Sequence, residues 1–360
     1  MARYRTTFSA LLIILLVTAT GFGQGLTTSL TAGKADLKSA GALAFGPDGV
    51  LFVGDSLGGA IFAIDTQDRT PGTAAVDVKD IQPKLAAVLG TAADQILIND
   101  LAANPASRNV YISVTRGRGP TATPAILRVD AAGKITPLSL DNVKHSRSAL
   151  PNATPEANAN RRLEAITDLA FVDNQVYVAG LSNEEFSSNL RAIPFPFART
   201  TPTGSAIEIW HASHGRFETN SPVRTFVPYK VGQNTNILAA YTCTPLVKLP
   251  VSQLKPGAKV MGSTIAELGS GNRPLDMIVY TKGGKDFVLM ANNSRGVMKL
   301  PIDNLDSYKA LTAPSDIAGV PYETIAALRG VEQLDKFDDA RAVILARQGG
   351  PLELKTIALP

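Results

Sequence analysis

The sequence predicts an all-β protein, a six-bladed β-propeller with seven blades as the numerical alternative. Three observations carry that prediction. The 360 residues include 30 Gly and 23 Pro, 45% are hydrophobic and only 18% are charged. Such a composition excludes disorder and leans away from a helical bundle toward strands joined by tight turns. A strand-turn-strand unit also recurs along the chain, and a third strand follows each copy, usually with a fourth. Four antiparallel strands repeated radially make propeller blades.

The chain opens with Arg3 and Arg5, followed by the apolar run Ala10–Val17 and small residues up to Gly23. This is the pattern of a secretory signal peptide over residues 1–23, cut after Gly23. It predicts a single domain over residues 24–360 in a secreted or periplasmic setting. An uncleaved anchor is the alternative, but the run is shorter than the ~20 residues a bilayer span needs. No stable membrane span remains after cleavage. Without Arg3 and Arg5 the chain carries 33 basic and 31 acidic side chains, a net +2 in place of +4. Pairs such as Arg116 with Arg118 have no interleaved aromatics, so nucleic acid is not an expected partner. Cys243 is the only cysteine, which excludes an intramolecular disulfide.

The first copy of the unit runs from Ala42 to Val53, with the turn Gly46-Pro47-Asp48-Gly49 between two apolar segments. Copies open at Ala42, Asp100, Asp168, Asp276 and Gln333, in steps of 58, 68, 108 and 57 residues. The long step hides a sixth unit, because Ala240–Pro250 aligns without gaps on Ala291–Pro301 and both end in two apolar residues and Lys-Leu-Pro. Third strands are expected at Ile61–Ile64, Ile126–Val129, Ile207–Trp210, Leu246–Leu249, Val297–Leu300 and Leu352–Leu354. The last unit then lacks its fourth strand. An N-terminal strand within Leu26–Leu37 is expected to supply it and close the ring, removing the open edges.

Long connections point to a working face. Asp80–Gln95, Asp141–Ala165 and Ala313–Gly330 are read as joining fourth to first strands, and Ser182–Ser205 as joining a second strand to a third. All would lie on one face of the disc, where a rigid scaffold presents binding loops. The residues that open first strands on that face include Asp100, Asp168 and Asp276, which would converge at the mouth of the central channel. Clustered carboxylates with amide oxygens suit a hard divalent cation such as Ca²⁺, with Asn292 as an added ligand. Alternatively, each Asp caps its own strand by accepting from backbone N–H groups. In the metal reading Asp276 and Asp168 are catalytic as well as ligating. Arg116, Arg273 and Arg295 orient an anionic group, and Tyr241 and Asn293 contact the substrate.

Other motifs carry less. Gly54-Asp55-Ser56-Leu57-Gly58 matches a nucleophile elbow, but a strand rather than a helix follows it. His211 and His214 are read at the end of a third strand on the short-turn face, as a surface turn without cysteine or carboxylate support. Cys243 ends a second strand on the working face, and His145 lies in a loop from which it could reach the site.

The stretch Leu43–Asp55 resembles the calcium-dependent senescence-marker/gluconolactonase propellers and the related NHL-type repeats. That resemblance implies a central divalent metal held by a Glu, an Asn and an Asp at channel-facing strand ends, with a carboxylate that opens a lactone. Asp276, after Arg273-Pro274-Leu275, takes the place of the family's aspartate and Asn292 that of its amide ligand. Ala42 stands where the glutamate would be. Two functions follow as expectations: an exported, metal-assisted, lactonase-like hydrolase acting on a small-molecule ligand, or a non-catalytic propeller that binds a protein or carbohydrate through its long-loop face.

Overall fold

The computed structural model describes residues 25–360, so the expected signal peptide over residues 1–23 lies outside the described residues. The described chain is all-β, built from antiparallel meanders numbered here in chain order. Unit 1 consists of Leu43–Phe45, Val50–Asp55, Ala60–Asp65 and Val143–Ala149. Unit 2 is Ile96–Ala103, Val110–Arg116, Thr123–Val129 and Ile135–Pro137. Unit 3 is Asp168–Val172, Gln175–Leu181, Ser188–Pro194 and Ser205–His211. Unit 4 is Val223–Val231, Asn234–Tyr241, Pro245–Pro250 and Lys259–Leu268. Unit 5 is Pro274–Lys282, Lys285–Asn292, Gly296–Pro301 and Glu323–Thr324. Unit 6 is Val331–Lys336, Arg341–Ala346, Glu353–Ala358 and Asp77–Val78.

The first strands pack side by side in a closed cycle, in the order 1, 3, 4, 5, 6, 2 and back to 1. Burial explains the cycle. The middle strands Val50–Asp55 and Ala60–Asp65 are buried at every position, so both of their faces need a neighbour. Each boundary in the cycle has its own apolar cluster. Phe52 and Ile61 meet Val176 and Val178 between units 1 and 3, and Phe62 meets Ala102 and Ile126 between units 1 and 2. The other four boundaries are filled in the same way.

Spatial order is not chain order. Unit 1 sits between units 2 and 3, because the chain leaves unit 1 after three strands and returns from unit 2 to add Val143–Ala149. On its way out it lays Asp77–Val78 against Leu354 and Lys355, and this strand completes unit 6. The N-terminal closure expected from Leu26–Leu37 is therefore corrected. Thr31–Gly33 pairs instead with Val143–His145 as a fifth strand on unit 1, and covers its outer edge.

Two further expectations change. Ser182–Ser205 is not one connection, since it contains the strand Ser188–Pro194, and Ile207–Trp210 thereby belongs to a fourth strand rather than a third. Asp141–Ala165 likewise contains Val143–Ala149, so His145 is a strand residue paired with Ile64 and Thr31. Units 3 and 4 merge at their outer edges by parallel pairing of their fourth strands, where a side chain at Gly262 would run into Val247.

Candidate functional site

The first strands line a central channel, and a β-bulge shapes four of them. Register slips around Asn99, Arg224, Leu275 and Glu332, each one residue ahead of Asp100, Thr225, Asp276 and Gln333. A bulge adds local twist and re-aims the side chain that follows. These four residues, with Ala42 and Asp168, line one small cavity of about 60 Å³. Asp100, Asp168 and Asp276, singled out from the repeat, thus come together around one lumen.

Each carboxylate is held by backbone on both sides. One oxygen accepts from the N–H of the following residue: Leu101 for Asp100, Leu169 for Asp168 and Met277 for Asp276, at 2.7–2.8 Å. The other reaches the first strand of the next unit. Asp100 accepts from Leu43 N–H at 2.7 Å, Asp168 from Phe226 at 2.7 Å and Asp276 from Leu334 at 3.0 Å. Asp335 makes the same pair of bonds, to Lys336 N–H at 2.7 Å and to Ala103 N–H at 2.8 Å. The capping alternative thus describes the bonding, and it crosses from unit to unit. The boundaries 2/1, 3/4, 5/6 and 6/2 are latched in this way. At 1/3 and 4/5 the corresponding residues are Ala42 and Thr225.

Burial dominates the electrostatics. It pushes Asp168 up to about 7 and Asp335 up to about 6, although the backbone bonds pull both down. Asp100 and Asp276 are held well above the usual carboxylate range, first by burial and then by the neighbouring aspartates. No Lys or Arg is among the main groups acting on Asp100, Asp168 or Asp276. All four are half-buried and present part of their surface to the lumen.

The larger space lies beyond this layer, toward the hairpin-turn face. A cavity of about 580 Å³ runs from Asp100, Asp168 and Asp276 past Ala44, Ala102, Ala170, Val227 and Ile278 to Phe45 and Phe171, with Arg108, Lys336, Asp338 and Asp339 also lining it. The sequence had pointed to the opposite face. There the channel narrows beside Arg224, whose guanidinium pairs with Glu164 at 2.8 Å.

The remaining expected residues stand outside both cavities. Asn292 is buried at the end of the second strand of unit 5, its oxygen accepting from Asn272 and its nitrogen donating to Met290 and Gly296 carbonyls. Asn293 accepts from Arg273 N–H, and Arg295 donates to Ser270 O. Arg116 is exposed at a strand end, and Tyr241 is fully buried in the core between units 3 and 4. Among the described residues, the set of three His, Cys, Asp or Glu side chains whose ligand atoms all lie within 4.8 Å of one another is His211, His214 and Cys243, not the aspartates. With their oxygens engaged by N–H groups and Asn292 outside the channel, the aspartates do not form a ready calcium cage.

Asp335 was missed because the repeat alignment placed Gln333 in register, and Asp335 stands two residues further on. The available signal was its position in a first strand, with a following N–H to accept from, as in the three aspartates that were found.

No protein-family model and no curated protein matches the sequence. Similar solved structures include a putative oxidoreductase (glucose dehydrogenase) from Thermus thermophilus, at 13% identity and a TM-score of 0.37, covering 91% of this chain and 100% of that one. A PQQ-bound aldose sugar dehydrogenase from Streptomyces coelicolor has 13% identity and a TM-score of 0.36, covering 91% and 96%. A chain of a mitotic checkpoint complex has 9% identity and a TM-score of 0.39, covering 98% and 99%. Likenesses of this strength assign neither activity nor ligand to this chain. Among the described residues no helix is long and apolar enough to cross a membrane.

Proposed function

We propose that the six meanders are the blades of a six-bladed β-propeller, and that the protein binds a small molecule in the central channel. The ligand would enter from the hairpin-turn face. It would lay an apolar body against Ala44, Ala102, Ala170, Val227 and Ile278, and direct a cationic or hydrogen-bond-donating end at the aspartates. One observation carries this reading: four carboxyl groups from four units meet around one lumen, and no Lys or Arg is among the main groups acting on three of them. A carboxylate oxygen that has accepted one N–H keeps a lone pair for another donor. A pocket of a few hundred Å³ with apolar walls and a few convergent polar groups is the usual form of a small-molecule site.

Calorimetric titration with short alkyl monoamines and diamines, and with Ca²⁺ alone, tests it. Binding of an amine that weakens about tenfold or more in Asp276→Asn supports the reading. No binding by any amine, or binding unchanged in Asp276→Asn and Asp168→Asn, refutes it. A calcium response without an amine response likewise refutes the organic-cation reading and points to a metal in its place. Export belongs to the same proposal and rests on the sequence of residues 1–23.

A hydrolytic version is favoured by one observation. Asp168 at about 7 and Asp335 at about 6 can give and take protons near neutrality, as general acid-base catalysis requires. Lactone turnover with a pH profile that shifts in Asp168→Asn would establish it, and no turnover would leave binding as the function.

A further inference from the structure

A second group of polar side chains stands where units 3 and 4 meet, outside the channel. His211 ends the fourth strand of unit 3 and His214 ends the single 3-10 turn after it. Cys243 lies in the turn after the second strand of unit 4. The ligand atoms of all three lie within 4.8 Å of one another. The imidazole rings are 3.8 Å apart between centroids.

Glu218 fixes both rings. One of its oxygens accepts from His211 Nδ1 at 2.8 Å and from Ser221 Oγ at 2.7 Å, and the other from His214 Nδ1 at 2.7 Å and Arg216 Nε at 3.1 Å. Glu218 thus receives two hydrogen bonds on each oxygen. With each Nδ1–H committed to that carboxylate, each Nε2 keeps a free lone pair, as in a carboxylate-histidine-metal arrangement.

Two buried atoms lack partners at this spot. His211 is 2% exposed and its Nε2 has no hydrogen-bond partner. Glu267 is 0% exposed and its Oε1 has none either, and it lies 4.0 Å from that Nε2. The gap is too long for a hydrogen bond, and buried polar atoms without partners are costly. Cys243 and Thr244 both hold left-handed backbone, at φ 64° and 62°, a conformation uncommon in residues other than glycine.

We infer that His211, His214 and Cys243, with Glu267 as the fourth ligand, bind one zinc-class transition-metal ion, while Glu218 orients both imidazoles. The donor set mixes two imidazoles, a thiolate and a carboxylate, which suits a borderline-soft ion and not Ca²⁺. Four protein ligands leave no open position, so the ion is structural and clamps unit 3 to unit 4. Zinc-ligand bonds of about 2.0–2.3 Å set neighbouring ligand atoms about 3.5 Å apart. The half-exposed His214 and the Cys243 turn would move inward by about an ångström on binding. Cys243 gives up its thiol proton and Glu267 any carboxyl proton to solvent as the metal-sulfur and metal-oxygen bonds form.

Zn²⁺ and Co²⁺ titrations of the full chain, freed of metal by a chelator, test this. One ion per chain is expected, and Co²⁺ should give a thiolate-to-metal charge-transfer band. Cys243→Ser should abolish that band and weaken Zn²⁺ binding about tenfold or more, and His214→Ala should weaken it similarly. Glu218→Gln, acting through the imidazoles, should weaken it about 10–100-fold. Circular dichroism checks that each variant is folded, and excess Ca²⁺ should not compete. Absence of binding, or an affinity unchanged in both Cys243→Ser and His214→Ala, overturns the site. Binding without a charge-transfer band overturns the thiolate ligand set.

Discussion

The aspartate layer and the His211–His214–Cys243 group both gather titratable side chains from different units, yet they differ in how completely those side chains are bonded. In the layer, both oxygens of Asp100, Asp168, Asp276 and Asp335 accept from backbone N–H groups, one local and one in the next unit. In the histidine group, His211 Nε2 and Glu267 Oε1 are buried with no partner. The difference separates groups that hold the fold from groups that await a ligand. Aspartates bonded in this way are latches first, and a channel ligand would use only the lone pairs left over.

The largest expected effect breaks a latch. Asp276→Ala removes the bond to Leu334 N–H and leaves that donor unpaired at the boundary between units 5 and 6. The cost of an unsatisfied buried donor plus the lost hydrogen bond is roughly 2–3 kcal/mol, read by urea denaturation at pH 5. Cys243→Ala, in the contrasting group, removes a thiol from a half-buried turn and should cost about 0.5 kcal/mol or less in metal-free protein. Equal costs for the two substitutions would erase the distinction.

A smaller effect concerns pH. The folded-state values of Asp168 and Asp335, about 7 and about 6, stand above the ordinary carboxylate value, so the folded protein binds more protons than the unfolded chain between about pH 4 and 7. Stability is therefore fully present below about pH 4 as far as these groups are concerned, and falls as pH rises through 6 and 7. The four aspartates are only half-buried and solvent screens part of the effect, so the fall expected from pH 5 to pH 8 is roughly 2 kcal/mol for the layer as a whole. Asp168→Asn should flatten it. A midpoint that rises between pH 5 and pH 8 would show that the carboxylates are ionised and neutralised in the fold.

The layer was legible in the sequence because Asp100, Asp168 and Asp276 open equivalent strands and each precedes an apolar residue. Asp335 was not, because the bulge at Glu332 and the offset of two residues hide it from an ungapped alignment. The cyclic order of the units was not legible either. It turns on Asp77–Val78 pairing with Leu354 and Lys355, and a strand of two residues carries no periodic signal. The face on which His211 lies was misread through one strand. Ser188–Pro194 opens on Ser-Asn, ends on Pro and holds a fully buried Arg191, so it reads as loop, and omitting it placed His211 on the wrong face. Restoring that strand brings His211 to Cys243, two residues the sequence had set on opposite faces.

The smallest effect tests whether the two unlatched boundaries are empty positions or closed ones. Ala42 stands at the 1/3 boundary in register with the aspartates and lines the same small cavity. An aspartate there would need a free donor in unit 3, but Leu169 N–H is already taken by Asp168 at 2.7 Å. Ala42→Asp therefore adds a buried acid without a latch and brings it close to Asp100 and Asp168. At pH 5 the new group stays protonated and should cost about 1 kcal/mol for an unsatisfied polar group. Toward pH 8 the cost should grow, because the new charge repels its neighbours, whereas Ala42→Asn should show no added pH slope. If Ala42→Asp instead stabilises the fold, the 1/3 boundary has a donor to spare, and the layer is an unfinished ring of latches rather than one limited by its available N–H groups.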